Sequence, residues 1–260
     1  MIPLRRSCLL LFLALCCAAA RAEMVTRRWG SPPKSPPGKA EQAPPRPPTA
    51  FVTETRTPPV IDGKLTDEAW AKAPVLNIAR SLDGLSRAAQ PTEVRLLRDA
   101  TTLYIAFRCV EPAAGKMRAT ARDHDAAIWE DDSVEFFLGG RDAYYHFGVN
   151  AIGSTYDAQG KDNSWNSGMR AAVLRGASEW SAEVAIPLQK LTGTARPPDR
   201  LAANFNRNRY VTGGLEESAW SPTYSGDSHV PAWFGELLLK EPPPEAQPPP
   251  KRVLGQSSGT

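Results

Sequence analysis

Apolar and polar residues alternate along much of the chain between positions 51 and 240, with the period of two that is typical of half-buried β-strands. Leu103, Ile105, Phe107 and Cys109 share one face of such a stretch, and the stretch 180–186 alternates in the same way. Six further runs show strand character and are separated by turn-forming glycines: 93–97, 133–138, 144–152, 170–174, 201–209 and 234–239.

Helical pattern is confined to one short segment. Thr66 is predicted to cap a helix whose first turn carries Asp67 and Glu68, which suits the helix dipole, and Pro74 marks its end. Many short strands, frequent turns and one short helix predict an all-β fold, an antiparallel β-sandwich of the jelly-roll or immunoglobulin-like type. Cys109, on the apolar face of its strand, is expected to be an inert core thiol.

Proline is concentrated on both sides of the predicted sandwich. Paired prolines favour extended, unpacked backbone, so these segments are interpreted as tethers rather than packed elements. The resulting division is a signal peptide at 1–22, a proline-rich linker at 23–50, the sandwich at 51–240 and a disordered proline-rich tail at 241–260.

The first 22 residues have the pattern of a secretory signal peptide. Arg5 and Arg6 precede an uncharged stretch at 8–20, and Ala20-Arg21-Ala22 supplies a small-x-small cleavage site. The apolar stretch is shorter than the roughly 20 residues that span a bilayer. The sequence therefore predicts export to the periplasm, the cell surface or the medium, with no membrane span.

Charge and cysteine content exclude several classes of protein. The formal net charge is +3, but removing Arg5, Arg6 and Arg21 leaves 28 basic against 28 acidic side chains. Residues 51–240 hold 21 Lys and Arg against 24 Asp and Glu, which argues against a nucleic-acid binder that relies on a basic excess. Cys109 is the one cysteine in this range, so an intrachain disulfide framework is excluded. The domain is expected to be monomeric.

The sequence contains one dense polar constellation, the acids of 123–135 around Trp129. Three histidines, His124, His146 and His229, are far apart in the sequence. The acids have four open interpretations: a solvated loop leading into a strand, a calcium site that includes Asp123 and Asp125, a sugar contact, or acid and base groups for glycoside hydrolysis.

Trp129 favours the sugar interpretation. An indole ring stacks on the apolar C–H face of a pyranose while neighbouring carboxylates and amides bind its hydroxyl groups. An isolated tryptophan is more often part of a core, so this residue alone does not decide the function.

Seven sequence blocks carry a family resemblance in the same order: PPVIDGKLTDEAW at 58–70, WEDDSVEFF at 129–137, HFGVN at 146–150, WSAEVAIP at 180–187, NFNR at 204–207, WSP at 220–222 and FG at 234–235. Together they resemble the family 9 carbohydrate-binding modules and their relatives in bacterial exported proteins, over essentially all of 51–240. The resemblance implies a β-sandwich that binds sugar without catalysis and that carries structural calcium.

The resemblance also implies roles for individual residues. Trp129 matches the aromatic residue that stacks on the sugar, Glu135 matches a polar ligand contact, and Asn206 lies in the strand whose amides reach the sugar. Arg207 either hydrogen-bonds the sugar or braces the acidic cluster.

Two positions depart from the family pattern. Gly148 stands where members supply an arginine, and Ser228, beside His229, stands where they place a second tryptophan. Trp220, together with Trp233 or Tyr224, is a candidate to replace that tryptophan, and His229 is a further candidate contact.

The predicted function is an exported, non-catalytic module that binds an oligosaccharide or polysaccharide. Three alternatives remain at this point. They are a scaffold or surface protein without sugar binding, a haem b electron-transfer domain with ligands among Met117, Met169 and His146, and a glycoside-acting enzyme that uses the acids of 123–135.

Overall fold

A computed structural model describes residues 45–139, 143–194 and 198–240. The predicted signal peptide, most of the predicted linker and the predicted tail lie outside the described residues. Within the described ranges, no helix is both long and apolar enough to cross a membrane.

The described chain is built almost entirely from strands. In chain order these are β1 Thr49–Phe51, β2 Thr53–Glu54, β3 Leu76–Ser81, β4 Arg87–Arg98, β5 Thr102–Val110, β6 Ser133–Gly139, β7 Tyr144–Asn150, β8 Thr155–Gln159, β9 Arg170–Arg175, β10 Glu179–Pro187, β11 Arg200–Arg209, β12 Glu216–Ala219 and β13 Gly235–Leu238. The helices are α1 Glu68–Lys72 and α2 Leu188–Thr192, with 3₁₀ turns at Ala114–Lys116, Ile128–Glu130 and Pro231–Trp233.

The strands form a folded-over sheet whose two halves enclose one core. One half has the order β8-β7-β6-β11 and the other the order β3-β4-β5-β10-β9, and β12 pairs with both β11 and β3. All of these neighbours are antiparallel, whereas the short strands β1 and β2 add parallel pairs with β13 and β4. The predicted all-β sandwich is confirmed, with these two parallel pairs added.

Aromatic contacts join the two halves through the core. Phe107 of β5 lies 5.7 Å from Phe136 of β6 and 6.2 Å from Phe205 of β11, measured between ring centroids. Cys109 and Trp180 are fully buried in the same core, as their positions on apolar faces predict.

A buried ion cluster also connects the two halves. Glu111, directly after β5, accepts hydrogen bonds from the guanidinium groups of Arg207 and Arg209 on β11. Arg207 also donates to the carbonyl oxygen of Val110. Its guanidinium group therefore links β11 in one half of the fold to the end of β5 in the other. Burial is the largest single influence and raises the pKa of Glu111. The hydrogen bonds from Arg209 and the backbone of Ala113, together with the charges of Arg209 and Arg207, outweigh it, and the pKa lies below its usual value.

Two local predictions need correction. Asp67, not Thr66, occupies the position before the first residue of α1, and its side chain makes no capping hydrogen bond. The helix ends at Lys72, before Pro74 as predicted. The second helix, α2, was not predicted, because its five residues are too few to show a helical period.

The two faces of strand β6 differ in their side chains, and one of them carries a buried carboxylate. Val134, Phe136 and Leu138 point into the core, so Glu135 and Phe137 point to the opposite face. That face is buried as well, because neighbouring segments cover it. A carboxylate on such a face needs hydrogen-bond partners.

Candidate functional site

A concave pocket of about 460 Å³ lies over the non-core face of β6, β7 and β11. We call it the aromatic pocket. It is lined by Trp129, Glu135, His146, Tyr156, Lys161, Asn208, Tyr210, Leu215, Glu217, Gly226, Asp227, Ser228 and His229.

A hydrogen-bonded carboxylate forms the floor of the pocket. Glu135 of β6 accepts a hydrogen bond from Nε2 of His146 on β7 at 2.6 Å, and another from the side-chain amide of Asn208 on β11. Burial alone would raise the pKa of Glu135, but the hydrogen bonds from His146 and Asn208 lower it below its usual value. The floor therefore presents an ionised carboxylate whose two oxygens are already oriented.

Trp129 forms one side of the pocket from the 3₁₀ turn Ile128–Glu130 and is 38% exposed. The Tyr210 hydroxyl donates a hydrogen bond to its carbonyl oxygen at 2.9 Å. The Tyr156 ring meets the indole edge-on at 5.2 Å, and the His146 ring lies at 6.3 Å with an interplanar angle of 30°. Backbone and ring contacts thus hold the indole at the pocket edge while part of it stays open to solvent.

Gly148 allows this turn to pack closely on the sheet. A Cβ atom at position 148 would overlap the side chain of Ile128, the residue before Trp129. The position that the family resemblance assigns to a sugar-binding arginine is therefore filled here by Ile128, and the turn that carries Trp129 lies directly on β7.

His229 lies on another side of the pocket. Its ring lies 4.7 Å from the ring of His146, and its Nδ1 is 2.9 Å from the Tyr144 hydroxyl, within hydrogen-bond distance. Burial and the neighbouring His146 lower the pKa of His229 to about 4. The imidazole is therefore neutral at physiological pH and can both donate and accept a hydrogen bond.

A second carboxyl group, Glu217 of β12, faces the pocket next to Asn208, its register partner on β11. Burial, together with the negative charges of Glu135 and Asp227, raises the pKa of Glu217 to about 7. The pocket therefore contains one carboxyl group that is ionised and one that still binds its proton near neutrality.

The structure brings together three of the predicted sugar-contacting residues: Trp129, Glu135 and His229. Asn206 lies on the same face of β11 as Asn208 but is fully buried beside Glu135, and its amide has no hydrogen-bond partner among the described residues. It does not line the pocket.

Arg207 does not belong to the pocket, which corrects its assignment as a sugar contact. Successive side chains of a strand point to opposite faces, so Arg207 points into the interior while Asn206 and Asn208 face the pocket side. The alternative, that Arg207 braces the acidic cluster of 123–135, also needs correction, because the carboxylate that it binds is Glu111, outside that cluster.

Trp220 is also misassigned as a pocket residue. Its ring packs on Phe205 at 5.6 Å and occupies the space that a side chain at Gly235 would need. It lines a separate concave surface that includes Tyr224 and Trp233, whose rings lie 4.9 Å apart. None of these three residues can therefore face Trp129 across the aromatic pocket.

The acids around Trp129 have several distinct roles. Asp131 is buried and accepts hydrogen bonds from the backbone of Thr120 and Ala121 and from the amide of Asn150. Asp132 accepts backbone hydrogen bonds from Arg118 and Tyr210. These two acids organise the loop and do not face the pocket.

Of the two predicted calcium ligands, only Asp125 belongs to a group of potential metal ligands among the described residues. Asp125 forms a group with His124 and Asp157, whose ligand atoms all lie within 4.8 Å of one another. Asp123 is exposed and is not part of this group. Calcium binding stays a prediction, and the involvement of Asp123 has no support from this geometry.

Sequence reasoning missed several residues of the pocket. The alternation of Asn204, Asn206 and Asn208 along β11 was a usable signal for Asn208. His146 was interpreted as structural or as a haem ligand, and it is the partner of Glu135. Tyr156 and Glu217 lie in strands that the pattern did not predict.

The alternative haem ligands are not gathered at one site. Met117 and Met169 pack against the main core. His146 lines the aromatic pocket and is hydrogen-bonded to Glu135. This separation removes the geometric basis for axial ligation by these residues.

Comparison with protein families gives a match over residues 61–242 to the family described as carbohydrate family 9 binding domain-like. This range covers well over half of the chain. Comparison with curated protein sequences gives no match.

Three solved structures share the fold. A family 9 carbohydrate-binding module of Caldicellulosiruptor kristjanssonii in complex with glucose has a TM-score of 0.57 and 18% identity, covering 77% of this chain and 100% of that one. Its complex with cellotriose has a TM-score of 0.58 and 18% identity, covering 77% and 98%. A Bacteroides uniformis ATCC 8492 protein has a TM-score of 0.60 and 17% identity, covering 75% and 100%.

The raised pKa of Glu217 predicts a pH-dependent stability. Its folded pKa of about 7 exceeds the ordinary 4.5, so the folded state binds more protons between these values, and the free energy of unfolding falls as pH rises through this window. Glu217→Gln removes this loss. We expect the variant to be more stable than the wild type at pH 8, by on the order of 1 kcal/mol, and equally stable near pH 4, as measured by urea unfolding.

Glu130→Gln is the matched control, because the Glu130 side chain is 63% exposed. It should leave the pH dependence unchanged. An E217Q variant that follows the wild-type profile from pH 4 to pH 8 would show that folding does not raise the pKa of Glu217.

Proposed function

The chain belongs to the carbohydrate family 9 binding domain-like family, and we propose that it binds a saccharide in the aromatic pocket without catalysing a reaction on it. The observation that carries the proposal is the position of Trp129. Its partly exposed indole stands beside the oriented polar groups of Glu135 and Asn208 in one concave surface. This combination suits a pyranose, which has an apolar C–H face and a rim of hydroxyl groups.

The size of the pocket suits one or two sugar residues. Its volume of about 460 Å³ falls within the range of about 300–1,000 Å³ that is usual for small-molecule sites. In the proposed complex, a sugar ring stacks on Trp129, and its hydroxyl groups bind Glu135 and Asn208. The neutral His229 and the protonated Glu217 add hydrogen-bond donors near neutral pH.

Gluco-oligosaccharides are the first ligands to test. The similar module of Caldicellulosiruptor kristjanssonii was solved in complexes with glucose and cellotriose. Stacking on one indole and a few hydrogen bonds support modest binding, with Kd values on the order of micromolar to millimolar.

The arrangement of the acids supports a binding role over hydrolysis. Glu135 is held by His146 and Asn208, and the two acids that follow Trp129 in the sequence, Asp131 and Asp132, are used by backbone N–H groups. Asp131 and Asp132 are therefore committed to the fold and are not available as the pair of carboxyl groups that flanks the scissile bond in glycoside hydrolysis.

We further propose that the protein is exported. The basic start, the uncharged stretch at 8–20 and the Ala20-Arg21-Ala22 cleavage pattern support removal of residues 1–22. N-terminal sequencing of the protein produced in a secretion-competent bacterial host should begin at Glu23. Retention of Met1 in the cell envelope or medium fraction would contradict the assignment.

Removal of the indole tests the binding site. Trp129→Ala should weaken binding of cello-oligosaccharides, measured by isothermal titration calorimetry, by at least about tenfold, or ~1.4 kcal/mol, because the stacking surface is lost. Unfolding should change little, since the indole is partly exposed.

Two variants serve as controls for this change. Phe51→Ala removes an aromatic side chain that is 45% exposed and lies outside the pocket, and it should leave affinity unchanged. Trp220→Phe changes the misassigned tryptophan and should also bind normally. If the wild type binds no mono- or oligosaccharide in a broad set, the fold serves as a scaffold and the proposal is wrong. The same holds if W129A binds as tightly as the wild type.

A further inference from the structure

We propose that His124, Asp125 and Asp157, together with Asn166, form a binding site for one divalent transition-metal ion of the zinc class. The site lies outside the aromatic pocket. Metal binding at this site does not depend on sugar binding in the aromatic pocket. Its test can therefore succeed or fail whatever the outcome of the sugar-binding experiments.

The geometry of the donor atoms is the first argument. Nε2 of His124 lies 3.5 Å from Oδ1 of Asp125, 3.5 Å from Oδ1 of Asp157 and 3.2 Å from Oδ1 of Asn166. The distances to the two carboxylates are longer than direct charge-assisted hydrogen bonds. Two ligands of a tetrahedral zinc ion, each bound at roughly 2.0–2.1 Å, are about 3.3 Å apart, which matches this spacing.

The histidine can present the lone pair of Nε2 to the group. Its Nδ1 lies 3.1 Å from the backbone carbonyl oxygen of Thr155 and 3.0 Å from the Thr155 hydroxyl, and the tautomer with its hydrogen on Nδ1 donates to that carbonyl. In this tautomer the lone pair of Nε2 faces the other three residues. A hydrogen bond from the second ring nitrogen to a backbone carbonyl is also the usual way in which a metal-binding histidine is oriented.

Asp157 supplies an independent observation. The residue is 2% exposed, and its Oδ2 accepts hydrogen bonds from the backbone N–H and the hydroxyl of Ser167. Its Oδ1 is buried and has no hydrogen-bond partner among the described residues, and it points to His124. A buried carboxylate oxygen without a partner is costly, and a bound cation would remove this cost.

Asn166 completes the convergence of electron-rich atoms. Its amide nitrogen donates to the carbonyl oxygen of Ser164 at 3.3 Å, which directs Oδ1 towards Nε2 of His124. One nitrogen and three oxygens therefore converge on one point. A cation bound there, with the hydrogen of the ring on Nδ1, would be held by all four atoms.

The nitrogen ligand determines the class of metal. Calcium prefers six to eight oxygen ligands, whereas imidazole combined with carboxylates suits zinc and its first-row neighbours. The site therefore differs from the oxygen-only calcium site that the sequence suggested around Asp123 and Asp125.

A bound ion would link three segments of the chain. His124 and Asp125 lie in the loop that leads to the Trp129 turn, Asp157 lies in β8, and Asn166 lies in the loop after β8. Asp125 has a positive φ of 64°, which is uncommon outside glycine, and its Oδ1 accepts the backbone N–H of Asp157 at 3.3 Å. The metal would hold this loop against β8.

Calorimetric titration of the chelator-treated full chain with Zn²⁺ tests the inference, with His124→Ala as the ligand variant and Asp123→Asn as the matched control. We expect one Zn²⁺ per wild-type chain, affinity at least about tenfold weaker in H124A, and unchanged affinity in D123N. At roughly 100 times the dissociation constant, Zn²⁺ should raise the wild-type Tm by about 5–10 °C. The Tm of H124A should not rise.

His124 is exposed, so H124A is expected to fold, and its Tm in chelator should match that of the wild type within about 2 °C. Absence of Zn²⁺ binding to the wild type would overturn the inference. An H124A variant that binds Zn²⁺ with the wild-type affinity would also overturn it. So would a competition titration in which millimolar Ca²⁺ displaces Zn²⁺ and the wild type binds the two ions with equal affinity.

Discussion

The buried carboxylate of Glu135 is the constraint on which the binding face depends. An ionised carboxylate away from water costs several kcal/mol unless hydrogen bonds replace its hydration. Here His146 and Asn208 supply those bonds from the strands on either side of β6. The bond also fixes the His146 ring, which stacks on Phe137 at 4.5 Å and contacts both Trp129 and His229. The hydrogen bonds to Glu135 therefore determine the position of the pocket floor and the spacing of Trp129 and His229 on its two sides.

The same strands carry a second set of charges on the opposite face. Along β11, the asparagines face the pocket side, and Arg207 and Arg209 reach Glu111 at the end of β5. One strand thus divides its polar side chains between the pocket side of the sheet and the connection of the two halves of the fold. A change of register by one residue would exchange these roles, so the pairing of β11 with β6 is strongly specified.

The sequence predicted strands correctly where packing against the core imposes an alternation of apolar and polar side chains. It did not predict strands or pocket residues that depend on contacts with segments distant in the sequence. The apolar alternation of β5 and β10 predicted these strands. In contrast, β8 has Asp157 on its buried face, with only Oδ2 hydrogen-bonded to Ser167, and β12 is rich in acids. Trp129, Glu135 and His229 were predicted for the pocket and lie there. Asn206 and Arg207 were both candidate sugar contacts, but adjacent strand residues face opposite ways, and Arg207 points away from the pocket. Glu217 reaches the pocket through the β11–β12 pairing, which no local pattern shows.

We propose that a saccharide stacks on Trp129. The most direct test of this proposal is a titration of the ¹⁵N-labelled protein with cello-oligosaccharide, observed at the tryptophan indole N–H signals by NMR. We expect a saturable shift of the Trp129 signal, with little change in the signals of Trp70 and Trp180, which are buried away from the pocket. A Trp129 signal that stays unchanged while calorimetry or other residues report binding would contradict it.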